Sequence, residues 1–175
     1  KPSDLVFSNE GKYLFVTTEK SGMLEKINPY LGKAISLAET GKNSAALALT
    51  GKDKIFVVNS GSQGVTVIDA IDMSRIKKYD INTGEKPSGI VLDHEEKYAY
   101  VANKESNTLT AFDIETYKPM LEIPVGDSPT AMVHNKHQGE KGYIYVANEK
   151  SNDISVINAS EGKEIKRLKA GLKPA

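Results

Sequence analysis

Histidines are the side chains of this sequence best suited to proton transfer or metal binding near neutral pH. His134 and His137 stand three apart in "VHNKHQGEKG", and His94 sits in "DHEEKY". Two histidines on one loop supply part of a metal site, but no third ligand stands near them in the sequence. The expectation is a polar surface loop at His134 and His137, another at His94, and no resident metal or cofactor. Cysteine is absent, which removes thiolate ligands, disulfides, cysteine nucleophiles and covalent haem attachment. Phosphate-cradling loops, a GxSxG elbow and an HExxH helix are absent as well. "GSQG" at 61–64 reads as a turn between strands, not as the entry to a helix.

Other candidates for chemistry recur, and recurrence changes their meaning. Asn28, Asp69, Asp113 and Asn158 each close a short hydrophobic run, and Asn59, Asn103 and Asn148 each close another. A catalytic group is needed once, so residues repeated at one register are read as structural, with the Asp/Asn oxygen bonding the turn that follows. The pairs Tyr98/Tyr100 and Tyr143/Tyr145 have the spacing of a stacking platform, but alternating aromatics in a repeated strand are read as packing. Asn158-Ala159-Ser160 is a glycosylation sequon, a short match that carries little weight.

The repeat itself is explicit. "YAYVANKESNTLTAFD" from Tyr98 returns 45 residues later as "YIYVANEKSNDISVIN", with seven of sixteen positions identical. Four landmarks recur in one order. Pro2, Ser44, Pro87 and Pro129 open short apolar runs, 42, 43 and 42 residues apart. Aromatic-valine runs then end at Thr18, Asn59, Asn103 and Asn148. Hydrophobic runs ending in Asn or Asp follow, and Gly41, Gly84, Gly126 and Gly171 complete the pattern. The units span 1–41, 42–84, 85–126 and 127–171, with 172–175 opening a fifth as "LKPA".

Each unit holds three runs rich in Val, Ile, Tyr, Phe and Thr, and a weaker fourth before the glycine, which read as strands. The punctuation between them, such as Asn9-Glu10-Gly11-Lys12 and Ser106-Asn107, is hairpin chemistry. The unit is therefore a four-stranded antiparallel meander. "IFVVN" and "AYVAN" carry apolar side chains on both faces, where a sheet covered on one side alternates. Radial stacking covers both faces, so the fold class expected is all-β, a β-propeller of four-stranded blades with about four visible. Ala45, Ala46, Ser88, Gly89 and Ala131 are small enough for the inner strands to crowd together.

The "YVAN" of Tyr100–Asn103 and Tyr145–Asn148, with "FVVN" and "FVTT", resembles the YVTN-repeat β-propeller family. "SNTLTAFD", "SNDISVIN" and "GVTVID" match that family's third strand, and "PVGDSPTAM" and "NTGEKPSGIV" its junction between blades. The first unit departs most, with Thr18 in place of Asn and a poor match along "KINPYLGKAISLAETG". The resemblance implies an extracytoplasmic protein of the cell surface or periplasm, and rings of about seven blades. Four units then leave three possibilities: a piece of a longer propeller, an open arc shared between chains, or a closed ring of four.

Lysine plus arginine and aspartate plus glutamate both total 23, without the basic excess of a nucleic-acid binder. The longest purely apolar run, Ala45–Leu49, is far too short for a membrane span. An open arc would expose two apolar blade faces, so a protein partner or self-association is expected through them. Partner contacts are otherwise expected where units differ. Those places are the insertion in the fourth unit, with His134, Asn135, Lys136, His137 and Gln138, and the divergent segment with Pro29 and Tyr30. The function implied is a non-catalytic interaction scaffold. A propeller subunit of a periplasmic redox complex or a hydrolase, working on the central channel, is the alternative.

Overall fold

Turns with a single left-handed residue recur at one register and set the hairpins. The computed structural model describes residues 1–76, 80–135, 142–172 and 174. Between the first two strands of successive repeats the left-handed residue is Gly11, Asp53 or Glu96, and between the next two it is Gly22, Gln63, Asn107 or Asn152. Short connections of this kind force antiparallel neighbours. The result is four meanders, and among the described residues there is no helix. No helix is therefore long and apolar enough to cross a membrane.

The first sheet runs β1 (Pro2–Phe7), β2 (Leu14–Thr18), β3 (Met23–Asn28), β4 (Lys33–Glu39), and the second β5 (Ser44–Leu49), β6 (Lys54–Asn59), β7 (Gly64–Asp69), β8 (Ile81–Asn82). The third runs β9 (Pro87–Leu92), β10 (Tyr98–Asn103), β11 (Thr108–Asp113), β12 (Pro119–Pro124), and the fourth β13 (Pro129–Asn135), β14 (Tyr143–Asn148), β15 (Asp153–Asn158), β16 (Lys163–Lys169). The divergent first repeat still completes its sheet, because β4 pairs with β3 from Met23↔Glu39 to Asn28↔Lys33. Among the described residues, the outer strand of the second sheet is the two-residue β8, with an isolated bridge at Ile68↔Arg75 before it.

The chain divides into two compact units, Lys1–Asn82 and Thr83–Ala175, each with two sheets. Within each unit the opening strands lie side by side, β1 against β5 and β9 against β13. The hydroxyl of Ser3 donates to the Ser44 carbonyl at 2.6 Å, and that of Ser88 to the Pro129 carbonyl at 3.0 Å. The residue after the first landmark thus ties one opening strand to the next. Phe15, Leu24, Leu47, Ile55 and Ile68 pack together in the first unit, and Leu109, Ile123, Ile144, Val146 and Ile157 in the second. These sheets are propeller blades. Burial of β6 and β10 on both faces matches the unbroken apolar pattern, whereas β14 alternates, with Ile144, Val146 and Asn148 buried.

Candidate functional site

The recurring polar residues converge on one joint. Cross-strand register sets the first landmark opposite the second: Pro2↔Thr18, Ser44↔Asn59, Pro87↔Asn103 and Pro129↔Asn148. Each Asn side chain turns inward and donates to a hydroxyl on the third strand, Asn59 to Thr66, Asn103 to Thr110 and Asn148 to Ser155, all at 2.8 Å. The glycine ending the preceding repeat closes over the amide. A Cβ on Gly84 would lie 2.8 Å from Asn103 Cγ, and one on Gly126 would lie 2.5 Å from Asn148 Nδ2. Three landmarks are therefore one packing unit. Ser44 Oγ donates to Asn59 Oδ1 at 3.2 Å. Pro87 and Pro129 have no hydroxyl to offer, and the buried oxygens Asn103 Oδ1 and Asn148 Oδ1 have no protein partner.

The third-strand Asp/Asn forms the expected turn in all four blades. Asn28 Oδ1 accepts from the Tyr30 and Leu31 amides, and Asp69 Oδ1 from Ile71 and Asp72. Asp113 and Asn158 accept from Glu115 and Thr116, and from Ser160 and Glu161. Hydrogen bonds from Thr116 hold the Asp113 carboxyl below the usual carboxylate range.

The sequence-predicted contact residues lie apart from these joints. His134 and Asn135 end β13, opposite Ile144 and Tyr143, so His134 belongs to a strand and not to a free loop. Lys136, His137 and Gln138 lie outside the described residues. Pro29 and Tyr30 stand on the β3–β4 turn, with Tyr30 87% exposed. Among the described residues no group of three or more His, Cys, Asp or Glu side chains gathers in a metal-binding arrangement.

Two concavities went unsignalled by the repeat. One is an open polar cleft of about 460 Å³ in the first unit, lined by the β2–β3, β4–β5 and β6–β7 connections with Lys20, Glu39, Lys42, Ser62 and Asp80. Asp80 is engaged there, accepting from Thr66 Oγ1 at 2.8 Å and from Arg75. The other is a cavity of about 100 Å³ in the second unit, where β10, β11 and β12 meet the β15–β16 turn. Tyr100 forms its inner wall, 3% exposed, with its hydroxyl 3.4 Å from the Ala159 carbonyl.

Burial, helped by the charges of Asp93 and Tyr98, pushes the Tyr100 phenol up to about 12. The folded state therefore holds this proton more tightly than the unfolded chain, whose tyrosines titrate near pH 10. That stability is fully present below about pH 10 and is lost as the pH rises to about 12, a loss of about 2–3 kcal/mol at the ordinary rate per unit. Tyr100→Phe should flatten this part of the alkaline stability profile while changing neutral stability by less than about 1 kcal/mol. Urea melts across the range would show it. An unchanged alkaline slope would mean that another group is responsible.

The fold has many relatives. A family model described as lactonase, 7-bladed β-propeller, matches residues 1–172. No curated protein matches the chain. Among solved structures, the hydrazine synthase of Kuenenia stuttgartiensis is similar, with a TM-score of 0.85 and 21% identity over 95% of this chain and 48% of that one. A functionally unknown protein from Desulfotomaculum acetoxidans DSM 771 gives 0.83 and 16% identity over 99% of this chain and 58% of its own. U3-55K gives 0.80 and 10% identity over 94% and 50%. The chain thus spans about half the length of these structures, and at such identities the likeness is one of fold. With nearly its whole length matched, the chain belongs to the lactonase family of seven-bladed β-propellers.

Proposed function

We propose that these four blades are an arc of a larger ring that serves as a non-catalytic binding scaffold, in an exported protein of the YVTN-repeat type. One observation carries the reading. The polar side chains preserved from blade to blade are engaged inside the blades, Asn with Thr or Ser and Asp or Asn with its own turn. The first blade exposes large apolar side chains: Leu5, Phe7 and Leu37 are each more than half exposed. These residues share one face through the pairs Leu5↔Val16, Val16↔Glu25 and Glu25↔Leu37, with Phe7 two residues beyond Leu5. An exposed face rich in apolar side chains, with Glu25 among them, asks for further blades or a protein partner.

Ester hydrolysis is the second reading, favoured by the family match over residues 1–172. The test is to offer the intact protein a panel of γ- and δ-lactones and follow acid release at constant pH. A scaffold gives no rate above buffer. Saturable turnover would overturn the scaffold reading in favour of the hydrolase. Fractionation of the source cells tests export separately, since recovery in the cytosol alone contradicts it.

A further inference from the structure

Two joints between neighbouring blades, one in each unit, share one layout and differ most in the residue at its centre, Lys26 in the first and Ala111 in the second. In the first unit Lys26 on β3 is opposite Phe15 on β2, and its side chain is buried. Its ammonium donates to the carbonyls of Ala70 at 2.8 Å and Ile71 at 2.9 Å, on the β7–β8 turn of the next blade. It also lies 4.7 Å from the centre of the Tyr13 ring and 5.7 Å from that of Phe15. Two carbonyls and two aromatic rings thus cage a cation.

The second unit repeats the layout of this cage with some of its residue types changed, Tyr100 for Phe15 and Ser160 for Ile71. Tyr98 and Tyr100 stand where Tyr13 and Phe15 do, and Tyr100 pairs with Ala111 as Phe15 pairs with Lys26. Both third strands carry the same irregularity one step on, at Lys26/Ile27 and Ala111/Phe112. Even the outer lysine is reproduced: Lys12 lies 5.2 Å from the Tyr13 ring centre, and Lys97 lies 5.2 Å from that of Tyr98. The turn Asn158-Ala159-Ser160-Glu161 occupies the place of Asp69-Ala70-Ile71-Asp72. The ammonium is missing, because alanine replaces lysine, and the Tyr100 hydroxyl, which Phe15 lacks, donates to the Ala159 carbonyl at 3.4 Å. The cavity of about 100 Å³ lies there, bounded by Tyr98, Tyr100, Ala111, Met120, Leu121 and the Ala159–Gly162 turn.

We propose that this cavity is a binding site for a primary alkylammonium group, either a free amine or the lysine side chain of a polypeptide. The template is internal to the chain, since its own lysine fills the corresponding cage. By analogy with Ala70 and Ile71, the ammonium donates to the Ser160 carbonyl and to the remaining lone pair of the Ala159 carbonyl, which already accepts from Tyr100. Tyr98 and Tyr100 supply the aromatic faces, and Met120 and Leu121 an apolar lip for an alkyl stem. Glu161 also lines the cavity; its carboxylate accepts from Asn158 Nδ2 and is ion-paired with Lys163. The site stands whether the whole protein is a scaffold or a hydrolase, because it uses only residues of this joint.

The test follows the methyl resonance of Met120 in intact protein carrying 13C-methyl methionine, assigned by its loss in Met120→Leu. Titration with n-butylammonium should move it saturably, in the millimolar range expected of so small a ligand. Neutral n-pentanol should bind about tenfold more weakly, since it lacks the cation–π and ion–dipole terms. Ala111→Lys should abolish the response by restoring the built-in ammonium, with a rise in melting temperature. Nα-acetyl-lysine N-methylamide separates the sources: binding comparable to butylammonium assigns the site to polypeptide lysine, and binding of butylammonium alone assigns it to free amines. No saturable shift in the unaltered protein, or an equal response to pentanol, would overturn the proposal. Both results are read on the unaltered protein, with Met120→Leu, a volume-conserving change at a half-exposed site, used only for assignment.

Discussion

Replacing Lys26 by methionine is expected to destabilise the first unit by about 3 kcal/mol, read as a lower urea midpoint at unchanged m-value. Methionine keeps most of the stem volume, so the loss isolates the ammonium. Two hydrogen bonds from a charged donor disappear, each worth about 1.5–3 kcal/mol, together with the attraction of the Tyr13 and Phe15 rings. The Ala70 carbonyl sits in a buried residue and loses its partner, whereas that of exposed Ile71 turns to water. Relief from burying a charge offsets part of this, which is why the figure lies below the sum of the terms. A change smaller than about 0.5 kcal/mol, the range of ordinary surface substitutions, would mean that the caged ammonium contributes nothing. The same result would weaken the case for its vacant counterpart.

The second large effect belongs to Gly89. Gly89→Val should cost about 3 kcal/mol or more, and Gly89→Ala about 2, as overpacking at a contact that cannot relax. A Cβ at this position would lie 2.6 Å from the Thr130 carbonyl oxygen, a backbone atom of the neighbouring opening strand. Making room means separating β9 from β13 and breaking the Ser88–Pro129 hydrogen bond. Gly171→Ala is the control, because nothing lies within 4 Å of its added carbon. Equal midpoints for Gly89→Ala and Gly171→Ala would refute the argument that this glycine exists for close approach.

What the sequence alone determined is whatever repeats locally. Strand runs, Asx turns at Asn28, Asp69, Asp113 and Asn158, and the meander order follow from side-chain type and turn chemistry within about 45 residues, and the structure contains them. The structural role read for Asn59, Asn103 and Asn148 is also present, although their glycine partners come from the preceding repeat, a contact that no local pattern encodes. Met73, Lys86 and Tyr117 take the left-handed backbone although none favours it. The surrounding ladder and the Asp69 and Asp113 turns impose that choice. The divergent "LGKAISLAETG" forms β4 because β3 offers it a complete edge.

Tertiary structure alone decided the difference between Lys26 and Ala111. In the sequence they are one register position with two residue types, unremarkable in either repeat. Only when the next blade brings a turn 44 or more residues away against that position does lysine become a caged cation and alanine an open cavity. Contacts between blades are long-range, so their chemistry is settled by packing and not by pattern.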